Sequence, residues 1–114
     1  MKNFANIDIA DNERNAVKAA SKLLKEKFPV KKVVLFGSKV RGDDDAESDI
    51  DLLVLVERKI TWNERKAIID VLFDIELAYD VIVSPLIVED REWNEGTFSV
   101  MPIYHEVSRD GVLT

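Results

Sequence analysis

A nearly unbroken apolar strand that begins with two carboxylates limits the possible folds of this chain more than any other stretch. Residues 49–57 read DIDLLVLVE. A strand with apolar side chains on both faces is expected at the centre of a sheet. Asp49 and Asp51 point to the same face, about 6.6 Å apart along the strand, while the neighbouring apolar side chains point the opposite way. The strand therefore predicts a sheet core with a pair of carboxylates at one end.

Hydrophobic periodicity and helix-end signals predict the other elements around this strand. These are a helix over 11–28, a strand over 30–36, a short helix from Gly37-Ser38 through Arg41, a helix from the Thr61–Glu64 capping box to 78, a strand over 80–88 and a helix from Pro102 to Gly111. Their order predicts a single α/β domain over residues 1–114, with a small mixed sheet and helices packed on one face.

Charge and composition exclude several classes of function. The net charge is −6, which argues against nucleic acid as a partner because such binding needs a basic surface. The absence of cysteine excludes disulfides, zinc thiolates and thiol nucleophiles. No stretch resembles a signal peptide or approaches the ~20 apolar residues of a membrane span, so the expected compartment is the cytoplasm, without membrane association.

The carboxylates suggest a cation site. Two Asp side chains at this spacing can lean onto one magnesium ion, which usually binds one or two carboxylates together with substrate phosphates. They could equally mark the start of a strand that leaves a polar loop. Asp80 is the only charged residue in the apolar run 77–88, and it is predicted to begin the third strand as Asp49 begins the second. If those strands are neighbours, three carboxylates meet, and they should not all ionise without a cation; otherwise Asp80 only separates a helix from a strand.

The Gly37-Ser38 turn is a candidate phosphate site. Glycine lets a phosphate approach the backbone, and a serine hydroxyl adds a donor. For a lone Gly-Ser pair an ordinary strand-to-helix turn is the preferred explanation, and the order Gly-Ser-Lys is not that of a P-loop. Arg41 follows, and either a phosphate, a partner or the acidic residues 43–47 could be its counterpart. The acidic run itself is expected to be a solvated loop.

Taken together, Gly37-Ser38, ten residues, Asp49-x-Asp51 and then Asp80 form a recognisable pattern. It resembles the nucleotidyltransferase superfamily typified by polymerase beta, with the signature G-S-x(7–13)-D-x-[DE] and a later strand carboxylate. It is still more similar to the minimal nucleotidyltransferases, which carry GSxxRGxxxxxSDIDLLV. The resemblance covers roughly residues 30–113 and implies a fold like the palm of polymerase beta.

The resemblance also implies a role for each matching residue. Gly37 and Ser38 would hold the nucleotide phosphates, with Arg41 as a further nucleotide contact. Asp49 and Asp51 would hold two Mg²⁺ ions, and Asp80 would share one of them and help activate the acceptor hydroxyl. The implied reaction transfers a nucleoside monophosphate, with ATP as the expected substrate.

The minimal members resemble antitoxins that are paired with a helical toxin of the HEPN class. The implied role is therefore adenylylation of a toxin tyrosine within a complex with that partner. Two alternatives stay open: a free-standing transferase that modifies a small-molecule hydroxyl, and a non-catalytic module that neutralises its partner by contact.

Overall fold

A four-stranded mixed sheet with helices on both faces forms the fold of residues 3–42 and 48–114, which are the residues that the computed structural model describes. The helices and strands are α1 (Asp11–Lys27), β1 (Val30–Phe36), α2 (Ser38–Arg41), β2 (Ile50–Val56), α3 (Trp62–Tyr79), β3 (Val83–Glu89), α4 (Asp90–Glu95), α5 (Pro102–Asp110) and β4 (Val112–Leu113). Short 3₁₀ turns span Phe4–Asn6 and Thr97–Val100. The predicted acidic loop 43–47 lies outside the described residues.

The sheet has the strand order β3-β2-β1-β4. Strand β1 is antiparallel to β2 and to β4, whereas β3 is parallel to β2. The predictions of a mixed sheet and of a central β2 are thus confirmed. Pro85 lies in β3, which is an edge strand, so its missing N–H leaves no neighbouring strand unpaired.

Helices α1 and α3 cover the first face of the sheet. Side chains of β2 such as Ile50, Leu52 and Val54 point into this core and pack with buried residues of both helices. Helix α3 begins as its sequence predicts, because the Thr61 hydroxyl accepts a hydrogen bond from the Glu64 N–H while the Glu64 carboxylate accepts one from the Thr61 N–H.

The second face is covered too, so the prediction of helices on one face only is wrong. Leu53 and Leu55 of β2 lie in a separate core cluster beneath α4, α5 and the turn between them. Trp93 of α4 is buried there, with its ring centroid 5.7 Å from Phe98 and 5.3 Å from Tyr104. The physical reason is that β1 and β2 are apolar on both faces, and both faces therefore have to be removed from water.

The start of β3 and the presence of a fourth strand also differ from the sequence prediction. Strand β3 begins at Val83 and not at position 80, and the unpredicted strand β4 adds to the free edge of β1 through Val34 and Leu35.

Within residues 3–42 and 48–114, no helix combines the length and the apolar character needed to cross a membrane.

Candidate active site

The two predicted carboxylates lie together at the beginning of β2, on the second face of the sheet. Asp51 pairs in register with Phe36 of β1 and with Ser84 of β3. Asp49 immediately precedes the strand, and its Oδ2 accepts a hydrogen bond of 2.6 Å from the Ser84 hydroxyl. The parallel neighbour therefore holds the first carboxylate in place through a serine.

The Gly37 turn lies directly against the second carboxylate. Gly37 has φ +82, a conformation that side-chain-bearing residues rarely adopt. A Cβ added at this position would overlap Oδ2 of Asp51 and would lie 3.1 Å from its Cγ. The turn thus brings the backbone at Gly37-Ser38 into contact with the Asp51 carboxylate, and only glycine leaves room for that contact.

The charged form of Asp51 is disfavoured where it stands. Burial raises the pKa of its carboxyl group most, and the negative charges of Asp49 and Glu106 raise it further, while Arg41 opposes them. A carboxylate that is held among like charges and partly away from water gains from a bound cation. The electrostatics of the site therefore favour a metal ligand.

The residues after the turn are anchored on both sides. Ser38 opens the single turn of α2. Lys39 is only 2% exposed and its Nζ lies 2.5 Å from the Glu13 carboxylate of α1. Arg41 donates from Nη1 to Glu106 of α5 at 2.7 Å. The turn is thus fixed to a helix on each face of the sheet, and a contact of Arg41 with phosphate stays a prediction.

Asp80 does not lie where the sequence analysis put it. It is the C-cap of α3, in the left-handed conformation with φ 57, and it precedes the first residue of β3. Its backbone carbonyl and that of Tyr79 accept hydrogen bonds from Asn12 of α1. The side chain borders a cavity of about 560 Å³ that is also lined by Glu13 and Ser48. Aspartate tolerates the left-handed region better than most residues, which suits it to end a helix.

The convergence of Asp49, Asp51 and Asp80 on one metal site stays a prediction, although Asp80 lines one cavity with Ser48, the neighbour of Asp49. Among residues 3–42 and 48–114, no three acidic or histidine side chains are grouped so that they could hold a metal ion. The β3 residue beside the carboxylate pair is Ser84, because it stands opposite Asp51 in the parallel register. Whether Asp80 takes part in catalysis stays a prediction.

Two site residues escaped the sequence analysis, namely Ser84 and Glu106. A signal for Ser84 was present, since it is a polar residue within the apolar run of β3. Glu106 carried no such signal, because its approach to the site depends on how α5 packs over the second face.

The donor set of the site suits magnesium. Two carboxylates side by side supply the number of protein ligands that Mg²⁺ usually takes when substrate phosphates and water complete its octahedron. The adjacent glycine turn leaves backbone and a hydroxyl within reach of those phosphates. The chemistry of this arrangement is therefore that of a site for phosphate oxygens and a hard divalent cation.

Comparison with known proteins identifies the class. The polymerase beta nucleotidyltransferase family matches residues 18–93. A Methanocaldococcus jannaschii protein, provisionally named a protein adenylyltransferase, is 44% identical over 70 residues, which are 61% of this chain and 69% of the relative. A second protein of that organism with the same provisional name is 33% identical over 86 residues, 74% of this chain and 81% of the relative.

Solved structures agree with the fold. A chain from a toxin–antitoxin crystallised with AMP-PNP superimposes with a TM-score of 0.60 at 20% identity, covering 91% of this chain and 72% of the other. A provisionally named nucleotidyltransferase from Sulfolobus solfataricus gives a TM-score of 0.51 at 17% identity, covering 93% and 87%. The chain belongs to the polymerase beta nucleotidyltransferase family, so the resemblance read from Gly37-Ser38 and Asp49-x-Asp51 is confirmed.

Proposed function

We propose that this chain transfers AMP from ATP to a hydroxyl group of a protein and releases pyrophosphate. The acceptor oxygen attacks the α-phosphate, and the bond from the α-phosphorus to the bridging oxygen of the leaving pyrophosphate breaks. The observation that carries the proposal is the Asp51 carboxylate, which is held against the Gly37 turn beside Asp49. This arrangement brings metal-ligating oxygens and a phosphate-accessible backbone to one place.

The residues of the chain divide the work between them. Asp49 and Asp51 would hold Mg²⁺, and the resemblance implies two such ions. Bound Mg²⁺ would neutralise phosphate charge and polarise the reacting phosphorus. Ser84 orients Asp49 through its hydroxyl. Gly37 keeps space open next to Asp51, and Ser38 donates its hydroxyl to a phosphate oxygen. Positioning and charge neutralisation are the main demands of phosphoryl transfer, so no protein nucleophile is needed.

Asp80 lies apart from the β2 carboxylate pair in the chain's secondary structure, at the C-terminal end of α3. Its place at the end of α3 puts it beside the cavity lined by Glu13 and Ser48. In the register of β3, the residue opposite Asp51 is Ser84. The proposal therefore assigns the metal to Asp49 and Asp51, and it treats Asp80 as a separate variant to be tested.

The acceptor is proposed from the relatives. The M. jannaschii proteins are named for adenylylation of proteins, and a solved neighbour comes from a toxin–antitoxin. These names support a protein acceptor and a toxin partner, and from the resemblance to minimal nucleotidyltransferases we infer that the acceptor is a tyrosine hydroxyl on a helical toxin of the HEPN class, with this chain as the antitoxin. Small-molecule transfer and neutralisation by contact alone are the outcomes that would replace this assignment.

Intact-mass spectrometry of a HEPN-class toxin co-expressed with this chain tests the proposal. We expect one or more added AMP groups with the natural chain and none with Asp51→Asn. Asp8→Asn, which changes an exposed carboxylate on the N-terminal segment, is the matched control and should leave the modification intact. An unmodified toxin that is nevertheless inhibited would replace catalysis by contact inhibition.

Thermal unfolding separates nucleotide binding from the choice of acceptor. At a Mg-ATP concentration of 100 times Kd, binding stabilises the native state by ~2.7 kcal/mol, which corresponds to a rise in Tm of about 10 °C or more for a domain of this size. We expect Asp51→Asn to lose this rise. Asp80→Asn should keep it if Asp49 and Asp51 suffice for the metal, whereas its loss would return Asp80 to the site.

A further inference from the structure

Helix α3 carries a second apolar face, which the described residues do not cover. Its inner face, with Ile68, Leu72 and Ile75, is buried against the sheet. Its outer face bears four large apolar side chains that are 42–77% exposed. These are Trp62, Ile69, Phe73 and Leu77, which we call the outer stripe.

The outer stripe has the spacing of a helix–helix contact. Its members recur at intervals of seven and four positions, so they lie on one side of the helix along nearly its whole length. An α-helix of 18 residues is about 27 Å long. Four large exposed apolar side chains along one side of a helix, interrupted only by Lys66 between Trp62 and Ile69, mark an interaction surface rather than scattered surface residues.

Charged residues in and beside the outer stripe are placed nearly symmetrically about Asp70. Lys66 and Asp74 lie four positions before and after it, Lys66 inside the outer stripe and Asp74 about 80° further round the helix. Arg65 and Glu76 lie five positions before and six positions after it, along the opposite flank. Arg65, Lys66 and Asp74 form no ion pair within residues 3–42 and 48–114, and Glu76 uses only Oε2, which accepts from the Val83 N–H at 2.9 Å.

A twofold axis turns this arrangement into a complementary one. When two identical helices pack antiparallel about such an axis, each residue faces the one that lies equally far beyond the axis, on the same flank. With the axis near Asp70, each Lys66 comes level with Asp74 of the second copy, which its long side chain can reach from within the stripe, and each Arg65 faces Glu76 on the same flank. Trp62 then lies opposite Leu77, and the two members of the outer stripe nearest the axis meet in the middle.

We propose that the outer stripe is a homodimer contact, in which α3 packs antiparallel against α3 of a second copy of this chain. A second copy fits better than an unrelated helix because both charge pairs and both apolar ends are matched by the same axis. The only mismatch is Asp70, which meets its own copy. The contact involves one helix face per chain, which is small for a stable interface, so a weak, concentration-dependent dimer is expected.

The pairing leaves the candidate active site open. Helix α3 packs on the first face of the sheet, whereas Asp49 and Asp51 lie at the end of β2 on the second face. Both copies can therefore bind nucleotide, and the proposal stands or falls independently of the transferase activity.

Cysteine crosslinking tests the geometry, since the chain has no cysteine of its own. In the antiparallel pair, position 70 comes close to its copy, near the Cα separation of up to ~7 Å that a disulfide allows. Position 74 lies about 12 Å from its copy along the helix axis. Under mild oxidation we expect Asp70→Cys to form a covalent dimer and Asp74→Cys to form little. Equal crosslinking at both positions would contradict the antiparallel pairing.

Charge reversal tests the pairing by equilibrium sedimentation across a concentration series. We expect Asp74→Lys to shift the chain to monomer and the double variant Lys66→Glu/Asp74→Lys to restore the dimer, because the reversed charges face each other again. Phe73→Ser should also dissociate the dimer, whereas Val100→Ser, at an exposed apolar residue outside the stripe, should not. A natural chain that stays monomeric at every concentration, or a double variant that stays dissociated, overturns the proposal.

Discussion

Gly37→Ala is expected to damage the candidate active site more than it damages the fold. The backbone at Gly37, with φ 82 and ψ −154, lies in a region that is essentially restricted to glycine, and another residue there costs about 1–3 kcal/mol. Replacing glycine also restricts the unfolded chain, which offsets about 0.4–1 kcal/mol of that cost. The net loss of about 1–2 kcal/mol corresponds to a Tm lower by roughly 5–10 °C.

The new Cβ has a second effect, because it overlaps the Asp51 carboxylate and must push it aside. A metal ligand displaced by about 1 Å can cost ~100-fold in rate. We therefore expect Gly37→Ala to stay folded in circular dichroism and to lose both the Tm rise with Mg-ATP and most of the AMP transfer.

Gly42→Ala is the matched control for this experiment. Gly42 also has a positive φ, +78, but an added Cβ would meet no atom within 4 Å. Its backbone cost, about 1–2 kcal/mol, is similar, and Asp51 is left in place. If Gly37→Ala keeps the same Mg-ATP shift as Gly42→Ala, the contact between the turn and the carboxylate has no part in nucleotide binding.

Three further results are expected. Asp51→Asn should raise the free energy of unfolding of the metal-free chain in urea at pH 7, because the raised pKa of Asp51 means that its ionised carboxylate destabilises the folded state. The gain should vanish at low pH, where the carboxyl group is protonated in both states. Equal stability of the two chains at pH 7 would refute the electrostatic argument. Ser84→Ala should slow AMP transfer roughly fivefold through loss of a ~1 kcal/mol hydrogen bond to Asp49, without changing the fold by circular dichroism. Glu64 should titrate at about 2 by NMR because Arg58 donates to it, so its stabilising effect fades as pH falls from the ordinary value towards 2; Arg58→Ala should raise that midpoint.

The elements that the sequence predicted correctly are those with strong local signals. Strand β2 is marked by its apolar run, and α3 by its capping box and its inner stripe. Strand β4 and helix α4 were missed because two and six residues are too short to show a periodicity. The cover on the second face of the sheet was missed because α4 was missed and because no local signal shows which face the predicted helix α5 packs on, although the apolar residues of both faces had been visible in β1 and β2.

The site was predictable as far as it depended on a single strand. Asp49 and Asp51 share a face because alternation along β2 requires it, and Gly37-Ser38 follows β1 directly. The partner on β3 depended on the register between two strands and on where α3 ends, and neither is a local property. The apolar residues after Asp80 suggested a strand, whereas α3 first ends in a left-handed turn at Asp80 and β3 starts three residues later, at Val83.

The alternation of β2 also protects the site against sliding errors. A shift of one residue relative to its neighbours would turn Asp51 into the hydrophobic core beneath α1 and α3 and would bring Ile50 or Leu52 to the position of the carboxylate. A register shift of one residue would thus strongly destabilise the folded chain, independently of its effect on catalysis. The register that buries the apolar residues of β2 is therefore the same register that places Asp49 and Asp51 in the candidate active site, so correct folding of the sheet also positions the carboxylates.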